Sequence, residues 1–154
     1  MKQETINSRI IKASPETLFK AFTDPKALEV WFAPDGMKGK IHNFDLKVGG
    51  GYEMSLFYLK SEKGTKGKTN DAEDRYTSEF LEIVQNEKII QAINFDAPDP
   101  KFAGKMTMEV TFESEKSTET KVTFIFKNIP IGIKPEDNET GTISTLENLA
   151  QFVE

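Results

Sequence analysis

The sequence predicts an α+β domain in which a curved antiparallel β-sheet wraps around one long C-terminal helix, with two short helices after the first strand. Three observations carry this reading. Apolar residues alternate with polar ones over short runs, as at Met106, Met108, Val110 and Phe112, which is the period-two mark of strands with one dry and one wet face. Two helix starts, Ser14-Pro15-Glu16 and Asp24-Pro25, lie close together near the beginning of the chain, each pairing a capping side chain with a proline in the first turn. The final segment sets Ile143, Leu146, Leu149, Ala150 and Val153 on one helical stripe.

Taken in order, Glu4 to Ile11 holds Ile6, Ile10 and Ile11 among polar residues and reads as a strand. Leu18, Phe19, Ala21 and Phe22 then recur at near-helical spacing until Thr23-Asp24-Pro25 stops the helix, and a second short helix runs through Leu28 to Phe32. Strands follow at Lys40 to Leu46 and Tyr52 to Leu59, with Gly49-Gly50-Gly51 able to make the turn between them. The segment Lys60 to Asp74 has no apolar period and reads as a long, mobile hairpin loop. Further strands are expected at Arg75 to Val84, Lys88 to Phe95, Met106 to Phe112 and Thr120 to Lys127, the last carrying Val122, Phe124 and Phe126 on one side. Pro130 and Pro135 end the sheet, and a helix from about Glu136 to Val153 closes the chain, with Glu136 and Asp137 at its positive end.

Bulk composition bounds the function. A length of 154 residues fits one domain spanning 1–154, and a chain of this size buries roughly 70% of its unfolded surface. Hydrophobic residues make up 37% and charged residues 29%, outside the regime of disorder. The net charge of −5 opposes a broad phosphate-binding surface, so no nucleic-acid partner is expected. Lys60, Lys63, Lys66 and Lys68 are followed at once by Asp71, Glu73 and Asp74, which largely cancels their field. There is no cysteine, hence no disulfide, thiolate metal site or cysteine nucleophile. No run approaches the roughly 20 apolar residues of a membrane span, and the first residues lack the apolar core of a signal peptide, so a cytoplasmic protein is expected.

Chemistry-bearing residues are sparse. His42 is the single histidine, and a satisfied or solvent-facing strand histidine is the default for such a residue. Without cysteine it makes no zinc set, so neither a metal nor a cofactor is expected. Glu79 and Glu82 lie among Phe80, Leu81 and Ile83. Three apart on a strand, they should point to opposite faces, putting one toward the interior where burial would raise its pKa. Tyr52, Tyr58 and Tyr76 remain as hydrogen-bond donors. The glycines of 49–51 lack the spacing and helix context of a phosphate loop. No catalytic residue is assigned.

Several strings together resemble a known family. Phe22-Thr23-Asp24-Pro25-Lys26-Ala27-Leu28 followed by Trp31-Phe32-Ala33-Pro34, then Asp45-Leu46-Lys47-Val48-Gly49-Gly50 before Tyr52, Leu81-Glu82-Ile83 before Lys88-Ile89-Ile90, Val110-Thr111-Phe112-Glu113, and Gly141 ahead of Leu146, Leu149 and Phe152 stand in one order along almost the whole chain. This order is similar to that of Hsp90-ATPase-activator-like domains in the START-related superfamily. The resemblance implies a helix-grip fold, with an apolar cavity or deep groove between the sheet and the C-terminal helix.

The chain departs from the family pattern at Ile93 and Thr142, where relatives carry aromatic residues, and in the length of the Lys60 to Asp74 loop. The first two leave more room in the cavity or change its shape. Residues expected to meet a ligand are Trp31, Phe32, Phe80, Gln91, Ile93, Phe95, Met108, Val110 and Leu146. The favoured function is binding of an apolar or lipid-like small molecule. The alternatives are a chaperone-associated or other protein-interaction module, suggested by the family name, and a cavity-based hydrolase or cyclase, which the single histidine and missing cysteines argue against.

Overall fold

A computed structural model describes residues 3–33, 37–58, 73–95, 100–102 and 105–154. The elements follow the expected order: β1 (Gln3–Ile11), α1 (Pro15–Thr23), α2 (Pro25–Trp31), β2 (Met37–Asp45), β3 (Gly51–Tyr58), β4 (Glu73–Val84), β5 (Lys88–Phe95), a 3-10 turn at Pro100–Phe102, β6 (Met106–Lys116), β7 (Glu119–Ile129) and α3 (Pro135–Val153). The expected loop from Lys60 to Asp74 lies outside the described residues except at its end, where Glu73 and Asp74 begin β4.

Local chemistry sets the helix starts. The Ser14 hydroxyl accepts from the Thr17 N–H at 3.2 Å, and the Asp24 carboxylate accepts from the Lys26 N–H at 3.0 Å, so each cap satisfies a donor the first turn cannot. Both helices, and α3 as well, place proline in the first turn, where its missing N–H costs nothing.

The seven strands form one antiparallel sheet in the order β1-β7-β6-β5-β4-β3-β2. Strands β2 to β7 run as a meander, and β1 pairs with β7 at its far end. Alternation is strict in the middle of the sheet: Met106, Met108, Val110 and Phe112 are buried on β6, as are Val122, Phe124 and Phe126 on β7. Strands β6 and β7 extend beyond the apolar pattern because the ladder continues through the charged pairs Glu113↔Lys121 and Lys116↔Glu119. Backbone pairing needs no apolar side chain there.

The inner face packs against the helices. Phe22 of α1 stands edge-on to Trp31 at 4.6 Å and to Phe112 at 5.3 Å between ring centroids, and the Trp31 indole N–H donates to the Ala21 carbonyl at 3.0 Å. The far end of the β6 stripe therefore packs on α1, while Met106 and Met108 at its near end face α3 across open space.

Two expectations need correction. Ile143 is 56% exposed, although Leu146, Leu149 and Ala150 are buried. The buried stripe of α3 instead runs through Thr142 and Thr145. Their hydroxyls donate to the carbonyls of Asn138 and Gly141 at 2.8 and 2.9 Å, a back-bond that lets a polar side chain sit on an inner helix face. Ile143 is left on the flank.

Glu79 and Glu82 do not take opposite faces. The β4–β5 register shifts between Phe80 and Glu82, so Leu81 is an extra residue that resets the alternation. Both carboxylates then lie on the outer side, Glu82 pairing with Lys88 at 2.8 Å and Glu79 with Lys105 at 3.9 Å.

Candidate ligand cavity

A cavity of about 330 Å³ lies between the inner sheet face and the first half of α3. Its sheet side is built by Leu56 of β3, Tyr76 of β4, Ile93 and Phe95 of β5, Met106 and Met108 of β6, and Phe124 and Phe126 of β7. Strand register brings these together: Tyr76 lies opposite Phe95, Ile93 opposite Met106, and Met108 opposite Phe126, and residues directly opposite in an antiparallel pair share a face. Asp137, Asn138, Gly141, Thr142 and Thr145 of α3 form the other side, with Gly132 and Ile133 from the β7–α3 connection and Phe32 from the end of α2. Asp137 is exposed, so its carboxylate stands where the cavity meets solvent.

Of the residues expected to meet a ligand, Phe32, Ile93, Phe95 and Met108 are in the wall. Trp31, Phe80, Gln91, Val110 and Leu146 are buried in the core behind it. Ile93 and Thr142 both line the cavity. The aromatic pair Phe124 and Phe126 was legible as an inner stripe but carried no mark of the cavity. Its signal is the cross-strand register with Met108 and Val110. Gly132, Ile133 and Asn138 offered none, because the path of the β7–α3 connection is a tertiary property.

Beneath the β3–β5 part of the wall is a buried polar cluster. The side-chain oxygen of Gln91 accepts from the Tyr52 hydroxyl at 3.0 Å and from the Ser78 hydroxyl. Burial pushes the Tyr52 phenol up to about 12. Burial, and then the neighbouring Tyr52, raise the Tyr76 phenol well above the usual tyrosine value. The Tyr76 hydroxyl lies beside that of Tyr52, which is committed to Gln91, and has no hydrogen-bond partner of good geometry among the described residues. Because that oxygen is itself buried, the Tyr76 ring rather than its hydroxyl faces the cavity.

His42 stands apart from this site, with Nε2 at 3.3 Å from the Ser55 hydroxyl. Among the described residues no cluster of three or more His, Asp or Glu side chains is placed to hold a metal ion, and no helix is long and apolar enough to cross a membrane.

The model of the family described as Activator of Hsp90 ATPase homolog 1-like protein matches residues 12–154. The chain belongs to this family. A crystal structure of a Chromobacterium violaceum protein is similar at 28% identity and a TM-score of 0.84, over 98% of this chain and 97% of that one. A Rhizobium loti protein is similar at 24% identity and a TM-score of 0.72, over 99% and 97% of the two chains. A Staphylococcus epidermidis protein solved in solution follows at 20% identity and a TM-score of 0.73, over 99% and 90%. These last two attest the fold alone. No curated protein matches the chain. The helix-grip fold implied by the sequence motifs is the fold observed.

Proposed function

We propose that this domain binds an uncharged, largely apolar small molecule in the cavity between the sheet and α3. The observation that carries the reading is the cavity itself, about 330 Å³ in volume and walled mainly by apolar and aromatic side chains. Protein interiors are close-packed, with few voids larger than a water molecule. This space is on the order of ten water volumes and falls at the lower end of the range for small-molecule sites, about 300–1,000 Å³. In this reading Phe32, Ile93, Phe95 and Met108 touch the ligand, while Trp31, Phe80, Gln91, Val110 and Leu146 hold the wall in place from behind. Asp137 at the rim disfavours anionic ligands such as fatty-acid carboxylates.

Binding is favoured over catalysis because the polar groups beneath the wall are committed or sealed. Tyr52 donates to Gln91, and burial holds both Tyr52 and Tyr76 protonated far above neutral pH. Neither is poised to exchange a proton. A protein-interaction role rests on the family's description alone.

The test is titration of the neutral dye N-phenyl-1-naphthylamine into the wild type and into Ile93→Trp, whose larger side chain would occupy the cavity. One dye should bind per wild-type chain, with affinity at least ten-fold weaker in the variant. Stability should change by no more than about 1–3 kcal/mol, the usual range for overpacking. A folded variant that binds the dye as tightly as wild type would remove this reading.

A further inference from the structure

We infer that the cavity selects ligands carrying a hydrogen-bond donor, an O–H or N–H on an apolar body, and that the Thr142 and Thr145 hydroxyl oxygens accept it. This rests on the cavity-binding reading above and adds the polar chemistry of the ligand.

The inference comes from following the protons of the wall. A threonine hydroxyl has one proton to donate and two lone pairs. Thr142 and Thr145 are 4% and 6% exposed, one turn apart on α3, and both line the cavity. Each spends its proton on the helix carbonyl four residues back, at 2.8 and 2.9 Å. What remains on each oxygen is accepting capacity. The backbone donors along the same side are also spent: the Gly132 N–H donates to the Lys101 carbonyl at 2.7 Å, the Ile133 N–H to Pro130 at 2.9 Å, and the Asp137 N–H to Lys134 at 3.0 Å. The Tyr76 hydroxyl is sealed behind its ring, and the Asp137 carboxylate only accepts.

An apolar ligand that brings its own donor can therefore satisfy it on α3. One that brings only an acceptor meets lone pairs at both threonines. The side-chain donor left in the wall among the described residues is the Asn138 amide, whose oxygen accepts from the Thr5 hydroxyl. In a desolvated site this distinction is large, because a polar group buried without its partner bears its full desolvation cost.

The test uses two probes of nearly equal shape, 2-naphthol and 2-methylnaphthalene, which differ by O–H in place of CH₃. Their affinities are measured for the wild type, for Thr142→Val and for Thr145→Val. Valine keeps the shape of threonine and removes only the hydroxyl. Thr140→Val is the control, since Thr140 makes the same back-bond, to Glu136 at 2.9 Å, on the exposed side of the helix and outside the cavity wall. The preference for naphthol over methylnaphthalene should fall about five-fold in at least one of the two wall variants, as expected for loss of one hydrogen bond. Methylnaphthalene affinity should stay within about two-fold, and the control should keep the wild-type ratio. Each single variant carries the test, so one that fails to fold leaves the other to decide. If both probes bind and the ratio is unchanged in both wall variants, the donor inference is overturned while cavity binding stands. If neither probe binds the wild type, the cavity reading fails and this inference falls with it.

Discussion

The Tyr52 hydroxyl donates to the side-chain oxygen of Gln91 at 3.0 Å, which joins β3 to β5 across β4. Ser78 of β4 donates to the same oxygen, so one buried acceptor serves a donor on the neighbouring strand and another on the strand beyond it. Replacing it by an apolar residue of similar size, Gln91→Leu, leaves two buried hydroxyls without an acceptor. The expected loss is about 2–6 kcal/mol, since each of the two orphaned donors costs about 1–3 kcal/mol. Tyr52→Phe, which removes a donor and leaves Gln91 with Ser78, should cost only about 1 kcal/mol. Urea midpoints at unchanged slope measure both. Equal losses in the two variants would show that Gln91 is not the shared node.

The same cluster predicts how stability depends on alkaline pH. The folded-state pKa of Tyr52 is pushed up to about 12 and that of Tyr76 is raised, in both cases chiefly by burial, whereas the unfolded chain ionises its tyrosines near 10. A raised folded pKa means that the native state disfavours the phenolate. Its contribution to stability is complete below about pH 10 and is lost as the pH rises from there toward the folded value. Between about pH 10 and 12 each tyrosine should lower the unfolding free energy by up to about 1.4 kcal/mol per pH unit. Denaturant melts from pH 8 to 11.5 should show this fall in the wild type. A shallower slope is expected in Tyr52→Phe/Tyr76→Phe, and identical slopes would contradict a buried, protonated pair.

Two glycines should respond to alanine with opposite signs. A Cβ on Gly51 would lie 1.8 Å from the Ser78 carbonyl oxygen, a backbone atom that cannot move without opening the β3–β4 ladder. Gly51→Ala should therefore destabilise by about 3 kcal/mol or more. Gly141 sits inside α3, and a Cβ there meets nothing within 4 Å. Gly141→Ala should stabilise by about 0.5–1 kcal/mol through helix propensity. Thermal midpoints that move in opposite directions are the expected result.

The helix starts and most strands were legible in the sequence because each is decided by a few adjacent residues. Ser14-Pro15 and Asp24-Pro25 open α1 and α2 through caps that reach only two or three residues along the chain. The apolar alternation of β6 and β7 marks their inner faces whatever lies opposite, and β5 was expected and found at Lys88–Phe95.

Where locality ends, tertiary structure decided. The bulge at Leu81 turned Glu82 to the same side as Glu79, and it arises from the pairing of β4 with β5, which no period along β4 reveals. On α3 the inner face was settled by what the helix packs against. Thr142 and Thr145 are admitted because their hydroxyls bond back to the helix, while Ile143, the more apolar residue, is left exposed. The cavity is the furthest from local reading. It exists because strands distant in sequence place Leu56, Ile93, Met108 and Phe126 on one concave face, and because α3 turns threonines and Gly141 toward them rather than side chains large enough to fill the space. The sequence by itself determined the elements, their order and the family. The register, the bulge and the packing of α3 determined which residues enclose space, since a void is a relation among side chains that only the assembled fold brings together.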